Sequence, residues 1–95
     1  MGSGHPDIVR RRAIVRGRVQ GVGFRWSARS VAGELGLAGF VTNRTDGAVE
    51  AEAEGPEGAV DEFIDWLRRG PAGALVTAVE VEQLAPTGDA AFRIT

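Results

Sequence analysis

The sequence predicts an α+β domain of β-α-β-β-α-β order, one mostly antiparallel sheet with two helices on one face and a short extra strand at the end. Three observations predict it. Hydrophobic spacing switches between a period of two and a period of about 3.6 along the chain. Glycine- and proline-containing turn signals fall at each switch. The first strand is rich in arginine, whereas the third and fourth are rich in glutamate, and this complementarity bears on strand order.

From Ile8 the first strand places Val9, Ala13, Val15, Gly17 and Val19 on one face and Arg10, Arg12, Ile14, Arg16 and Arg18 on the other. The arginine face reads as a solvated sheet surface rather than a binding surface. After a glycine-rich stretch, Phe24, Ala28, Val31, Ala32 and Leu35 form a helical stripe, with Gly36 suited to a left-handed stop. Leu37 to Thr42 reads as the second strand, and Asp46-Gly47 as the tip of a hairpin. The return strand alternates Val49, Ala51 and Ala53 with Glu50, Glu52 and Glu54. Gly55-Pro56 opens the second helix, with Pro56 expected at its first position. Val60, Phe63, Ile64 and Leu67 carry its stripe, Trp66 packs beside it, and Gly70-Pro71 stops it.

The fourth strand alternates Leu75, Thr77, Val79 and Val81 against Val76, Ala78, Glu80 and Glu82. A turn at Thr87 to Asp89 leads to a last strand, Ala91 to Thr95. This order is the split βαβ, or ferredoxin-like, arrangement. In it the first strand lies between the third and fourth, so its outward arginines meet Glu50, Glu52 and Glu54 on one side and Glu80 and Glu82 on the other. Residues 8–95 form a single domain behind a flexible leader at residues 1–7.

Composition narrows the chemistry. A content of 43% apolar and 25% charged residues is ordinary for a soluble domain, and the net charge of −2 argues against duplex nucleic acid or an anionic membrane as partner. With no cysteine, disulfides, thiolate metal ligands and a cysteine nucleophile are excluded. The one histidine, His5, lies in the leader, so neither a histidine metal site nor a triad is expected. No apolar run would cross a bilayer and no signal peptide is visible, which points to the cytoplasm.

Two segments exceed what the fold requires. Gly17 to Arg25, GRVQGVGFR, joins a strand to a helix through glycines at 17, 21 and 23. Such a turn lets successive amides converge at a helix N-terminus, an anion site to which Arg25 adds a two-pronged cation. The other is Asn43, near the end of the second strand, where an amide either closes the hairpin or serves chemistry.

Together, VRGRVQGVGFR from Val15 to Arg25 and GFVTNRTDGAVEAEAEG from Gly39 to Gly55 resemble the acylphosphatase family. GPEGAVDEFIDWLRRGP and the final FRIT extend the likeness from about Ile8 to Thr95. The resemblance implies hydrolysis of carboxyl-phosphate anhydrides to a carboxylate and inorganic phosphate, with no metal or cofactor. It implies that the loop amides of Gln20, Gly21, Val22, Gly23, Phe24 and Arg25, with the Arg25 guanidinium, hold the phosphate, and that Asn43 positions water. The implied partner is a small acyl phosphate, bound by a monomer. Thr42 stands where relatives commonly carry a longer, often basic residue, and FRIT is less aromatic than many of their ends.

The chemistry suits these residues. Phosphoryl transfer asks a protein mainly for positioning and charge stabilisation. The leaving carboxylate has a conjugate acid of pKa about 4 and needs no general acid. Two other readings are open on the sequence: a phosphate-binding module that does not turn over, and single-stranded RNA binding by the sheet, which would require aromatic platforms where Arg and Glu stand. Gln20 either bonds substrate or braces its loop.

Overall fold

A computed structural model describes residues 7–95. The leader expected over residues 1–7 lies outside them except for Asp7, whose carbonyl accepts a hydrogen bond from the Glu57 amide at 3.0 Å. The elements are β1 (Ile8–Arg18), α1 (Phe24–Glu34), β2 (Ala38–Asn43), β3 (Val49–Pro56), α2 (Glu57–Arg69), β4 (Leu75–Leu84) and β5 (Phe92–Ile94). They build one five-stranded sheet in the order β4-β1-β3-β2-β5, antiparallel except for the parallel β2–β5 pair.

The core lies between the sheet and the two helices. Val15, Val41, Val49 and Ala51 from the strands meet Phe24, Ala28 and Ala32 of α1 and Val60, Phe63 and Leu67 of α2. Alanines at 13, 28, 32, 51 and 53 let backbones approach closely, and the larger volume comes from aromatic rings. The rings of Phe63 and Phe92 meet edge to face at 5.7 Å, and Trp66 packs on Phe24 at 5.5 Å. The expected stripes of both helices are the buried ones, with Val31 and Leu35 at the margin of the core. Pro56 is placed differently from expectation. It is the N-cap of α2 rather than its first residue, because its extended backbone still pairs with Ile8 in the sheet.

On the other face, the expected charge ladder forms. Arg12 reaches Glu82 at 2.6 Å, Arg16 reaches Glu80 at 2.8 Å, and Arg10 reaches Glu52 at 2.7 Å. The exposed pairs are screened by solvent and each contributes little to stability. Arg11, facing the helices, pairs instead with Glu57 and Asp61 of α2.

One end of this face departs from a solvated surface. Arg10 and Glu54 are each only 5% exposed, because the connection from β4 to β5 passes over them. Glu54 accepts hydrogen bonds from the amides of Thr87 and Gly88, both at 2.8 Å, and from Arg10 at 3.0 Å. Burial alone would push this carboxyl up. The Thr87 amide, the Arg10 guanidinium and the Gly88 amide outweigh it and hold the carboxyl at about 2, well below its ordinary 4.5. A depressed acid contributes stability that is present above its unfolded pKa and lost as pH falls through its folded one. Glu54→Gln is therefore expected to cost about 2 kcal/mol at neutral pH, because a neutral amide cannot replace the charge that the Thr87 and Gly88 amides and Arg10 stabilise, although Glu52 still pairs with Arg10. In denaturant titrations the gap between variant and wild type should narrow from pH 5 towards pH 2; a constant gap would contradict the assignment.

β4 does not alternate as its sequence suggests. Arg16 pairs with Ala78 and Gly17 with Val76, so Thr77 is a bulge residue. The bulge turns Val76 as well as Val79 towards the core and leaves Leu75 62% exposed. Gly17 belongs to this feature rather than to the anion loop. A Cβ there would lie 2.1 Å from the Leu75 carbonyl oxygen, so the close approach of β1 and β4 requires glycine.

Candidate active site

The loop between β1 and α1 has the backbone its glycines foretell. Gly21 and Gly23 take φ of 78° and 74°, the left-handed region, and Gly23 is the N-cap of α1. The first helical amide with an internal partner is that of Ser27, which donates to the Gly23 carbonyl at 3.1 Å. Among the described residues, the amides of Gly21 to Arg25 make no hydrogen bond within the protein. They stand at the positive end of the helix dipole, in a first turn with no acidic residue. Neither glycine has an atom within 4 Å of where a Cβ would sit, so their role is conformational rather than steric. Gly21→Val is expected to cost about 1 to 3 kcal/mol through strain. If the strain is relieved by moving the loop, inhibition by inorganic phosphate should weaken by roughly tenfold or more, about 1.4 kcal/mol of lost binding. Unchanged phosphate inhibition together with unchanged stability in this variant would show that the left-handed conformation at Gly21 is not required.

A cavity of about 230 Å³ opens at this loop and is lined by Gly21, Gly23, Phe24, Arg25, Trp26 and Asn43, among others. The structure thus brings together the two segments that the sequence singled out. Phe24 anchors the loop by burying its ring in the core. Arg25, the next residue of the helix, is held by a bond from Nη1 to the main-chain oxygen of Thr95 at 3.1 Å. Asn43 is exposed and ends β2, one residue after Thr42, whose hydroxyl donates to the same Thr95 oxygen at 3.2 Å. The C-terminal end of β5 therefore ties the strand bearing Asn43 to the helix bearing Arg25.

Gln20 and Val22 do not line the cavity. Val22 is half-buried against the core. Gln20 Nε2 donates to the carbonyls of Arg44 and Ala48 at 2.8 and 3.0 Å. Its side chain accordingly braces the loop, and it does so across the molecule, against the β2–β3 turn. That turn is closed by Asp46, which accepts from the Ala48 amide at 3.0 Å and is paired with Arg44 and Arg16. The Ala48 amide, and then these arginines, hold the Asp46 carboxyl below its usual range. The cradle and Asn43 are thus linked from both sides, through Gln20 and through Thr95.

Trp26 is the cavity residue that sequence reasoning missed. It is 70% exposed. The available signal was its place off the apolar stripe of α1, next to the arginine expected to grip an anion. Among the described residues, no group of three or more His, Asp or Glu side chains is placed to hold a metal ion.

Comparison with known proteins agrees with this geometry. The acylphosphatase family profile matches residues 11–94. The chain is 51% identical to an acylphosphatase of Anaeromyxobacter dehalogenans over 89 residues, covering 93% of this chain and 96% of the relative. The crystal structure of acylphosphatase from Bacillus subtilis superposes with a TM-score of 0.89 at 42% identity, covering 92% of this chain and 98% of that one. Full-length HypF, in a phosphate- and nucleotide-bound form, contains a similar unit at a TM-score of 0.86 and 26% identity; 99% of this chain matches 12% of that one. A glycine loop at a helix start, an arginine and an asparagine meeting at one cavity, and a profile match over nearly the whole chain lead to one conclusion: the chain belongs to the acylphosphatase family.

Proposed function

We propose that the amides of Gly21 to Arg25 and the Arg25 guanidinium bind the phosphoryl group of an acyl phosphate while Asn43 orients the attacking water. The reaction class is that of the family: the chain is an acylphosphatase-class hydrolase that splits a carboxyl-phosphate bond. The observation that carries the residue assignment is the shared cavity, in which Arg25 and Asn43, 18 positions apart in sequence, face amides with no internal acceptor.

Each group suits its step. A guanidinium has five donors, and the Thr95 oxygen occupies one, which fixes the plane of the fork and leaves others for phosphate oxygens. The amides add charge stabilisation that needs no reorganisation during reaction. The Asn43 carbonyl accepts from water and its amide donates, so the side chain aims the water without acting as a strong base. Water oxygen forms the new bond to phosphorus, the bond from phosphorus to the acyl oxygen breaks, and the carboxylate leaves with that electron pair. A proton of the water passes to a phosphoryl oxygen, so an acyl phosphate dianion yields a carboxylate and dihydrogen phosphate. Every residue invoked comes from one copy, so on this reading a monomer suffices for the reaction, and the cytoplasm is its proposed place.

Ultraviolet-monitored hydrolysis of benzoyl phosphate, in buffer containing a chelator, tests the proposal. Turnover that persists with chelator and is inhibited competitively by inorganic phosphate is expected. Binding of phosphate without turnover above that of an Arg25→Ala control would indicate a binding module instead.

A further inference from the structure

The cradle cavity does not end at the phosphate site. It shares Trp26 with a second hollow of about 440 Å³ between α1 and β5, which also takes in Arg29, Leu37 and Phe92. A third hollow shares Arg29 and Phe92 with the second and Ile94 with the first. The three adjoin through these shared residues as one groove, and among the described residues no acidic side chain lines any of them. Its floor is apolar, because Phe92 and Ile94 are half-buried against the core.

Three arginines border the groove. Arg25 is held by the Thr95 oxygen, and Arg93 is paired with Asp89 at 3.2 Å. Arg29 is exposed and makes no hydrogen bond or ion pair among the described residues. It lies one helical turn beyond Arg25, about 6 Å along the axis, with Trp26 between them. An exposed indole and an uncommitted guanidinium, following directly on the cradle, are groups chemically suited to an apolar frame and an anion.

We propose that this groove receives the acyl end of the substrate, that Trp26 packs against its carbon frame, and that Arg29 recognises a second anionic group on it. The preferred substrates are then acyl phosphates whose acid carries a further carboxylate or phosphate. This rests on the reading that the cradle holds the reacting phosphoryl group.

Two substrates test it: para-carboxybenzoyl phosphate and para-methylbenzoyl phosphate, similar in size and differing in the charge at the far end. The wild-type chain is expected to show a higher kcat/KM for the carboxylated compound. Arg29→Gln should lower the ratio of the two kcat/KM values by about threefold to fivefold, the upper part of the range of an exposed ion pair. Arg29→Glu should lower it further, and the preference should shrink in 1 M salt, where the screening length is about 3 Å. Trp26→Ala should raise KM for both compounds by a similar factor without a matching rise in the phosphate inhibition constant. An unchanged ratio in Arg29→Gln and Arg29→Glu, with both compounds still hydrolysed, would overturn the acyl-side assignment and leave the cradle intact. Failure of the wild-type chain to hydrolyse either compound would overturn both.

Discussion

Arg25→Ala is expected to lower kcat/KM for benzoyl phosphate by roughly a thousandfold, at the lower end of what a charge-stabilising arginine contributes to phosphoryl transfer. It should also weaken inhibition by inorganic phosphate by roughly tenfold to a hundredfold, about 1.4 to 2.8 kcal/mol. Both effects follow from one change. The amides of the loop supply partial charges only, and without the guanidinium they alone face a doubly charged group. Stability should fall by about 1 kcal/mol at most, since the bond lost is the single one to the Thr95 oxygen. Arg25→Lys should recover part of the phosphate affinity and little of the turnover, because an ammonium is a point charge and cannot present a fork. Denaturant titration together with phosphate inhibition separates these outcomes. Full phosphate affinity in Arg25→Ala would remove the residue from the site.

Asn43→Ala should have the opposite balance. Turnover should fall by roughly a hundredfold or more, the scale of a lost positioning contact, while phosphate inhibition stays within a few-fold of wild type. Asn43 ends β2 on the exposed side of the cavity and makes no side-chain hydrogen bond among the described residues, so its removal leaves the loop untouched. Asn43→Asp should be worse on both counts, because a carboxylate would repel the phosphoryl dianion. Steady-state kinetics with phosphate as competitive inhibitor provides both numbers. Equal loss of phosphate affinity in Asn43→Ala and Arg25→Ala would place the amide in the cradle rather than beside the water.

The parts of this fold that were legible in the sequence are those set by local spacing and by charge. Glycine-punctuated period changes located the helices and most strands, and the arginine and glutamate runs put β1 between β3 and β4, where the pairs are found. What was not legible depends on a neighbour far along the chain. Arg10 and Glu54 look like surface charges until the β4–β5 connection passes over them and supplies two amides. The face on which Val76 lies depends on a bulge at Thr77, which exists because Gly17 meets the Leu75 carbonyl across the sheet.

The same division holds at the site. The glycine loop, Arg25 and Asn43 form patterns within short segments, and these proved to face one cavity. Gln20 could not be assigned from sequence because its acceptors are carbonyls of Arg44 and Ala48, which no side-chain pattern announces. Thr42 likewise gains its meaning from the Thr95 oxygen, which it shares with Arg25. That sharing makes the end of β5 part of the frame of the site, a role its four-residue motif FRIT did not reveal.

The most direct test of the central claim is a titration of the labelled chain with inorganic phosphate, followed by amide nuclear magnetic resonance. Saturable shifts concentrated in the amides of Gly21 to Arg25 and in the Arg25 side chain, with a dissociation constant equal to the kinetic inhibition constant, are predicted. Phosphate that inhibits turnover while those amides remain unmoved, with the shifts falling elsewhere on the chain, would contradict it.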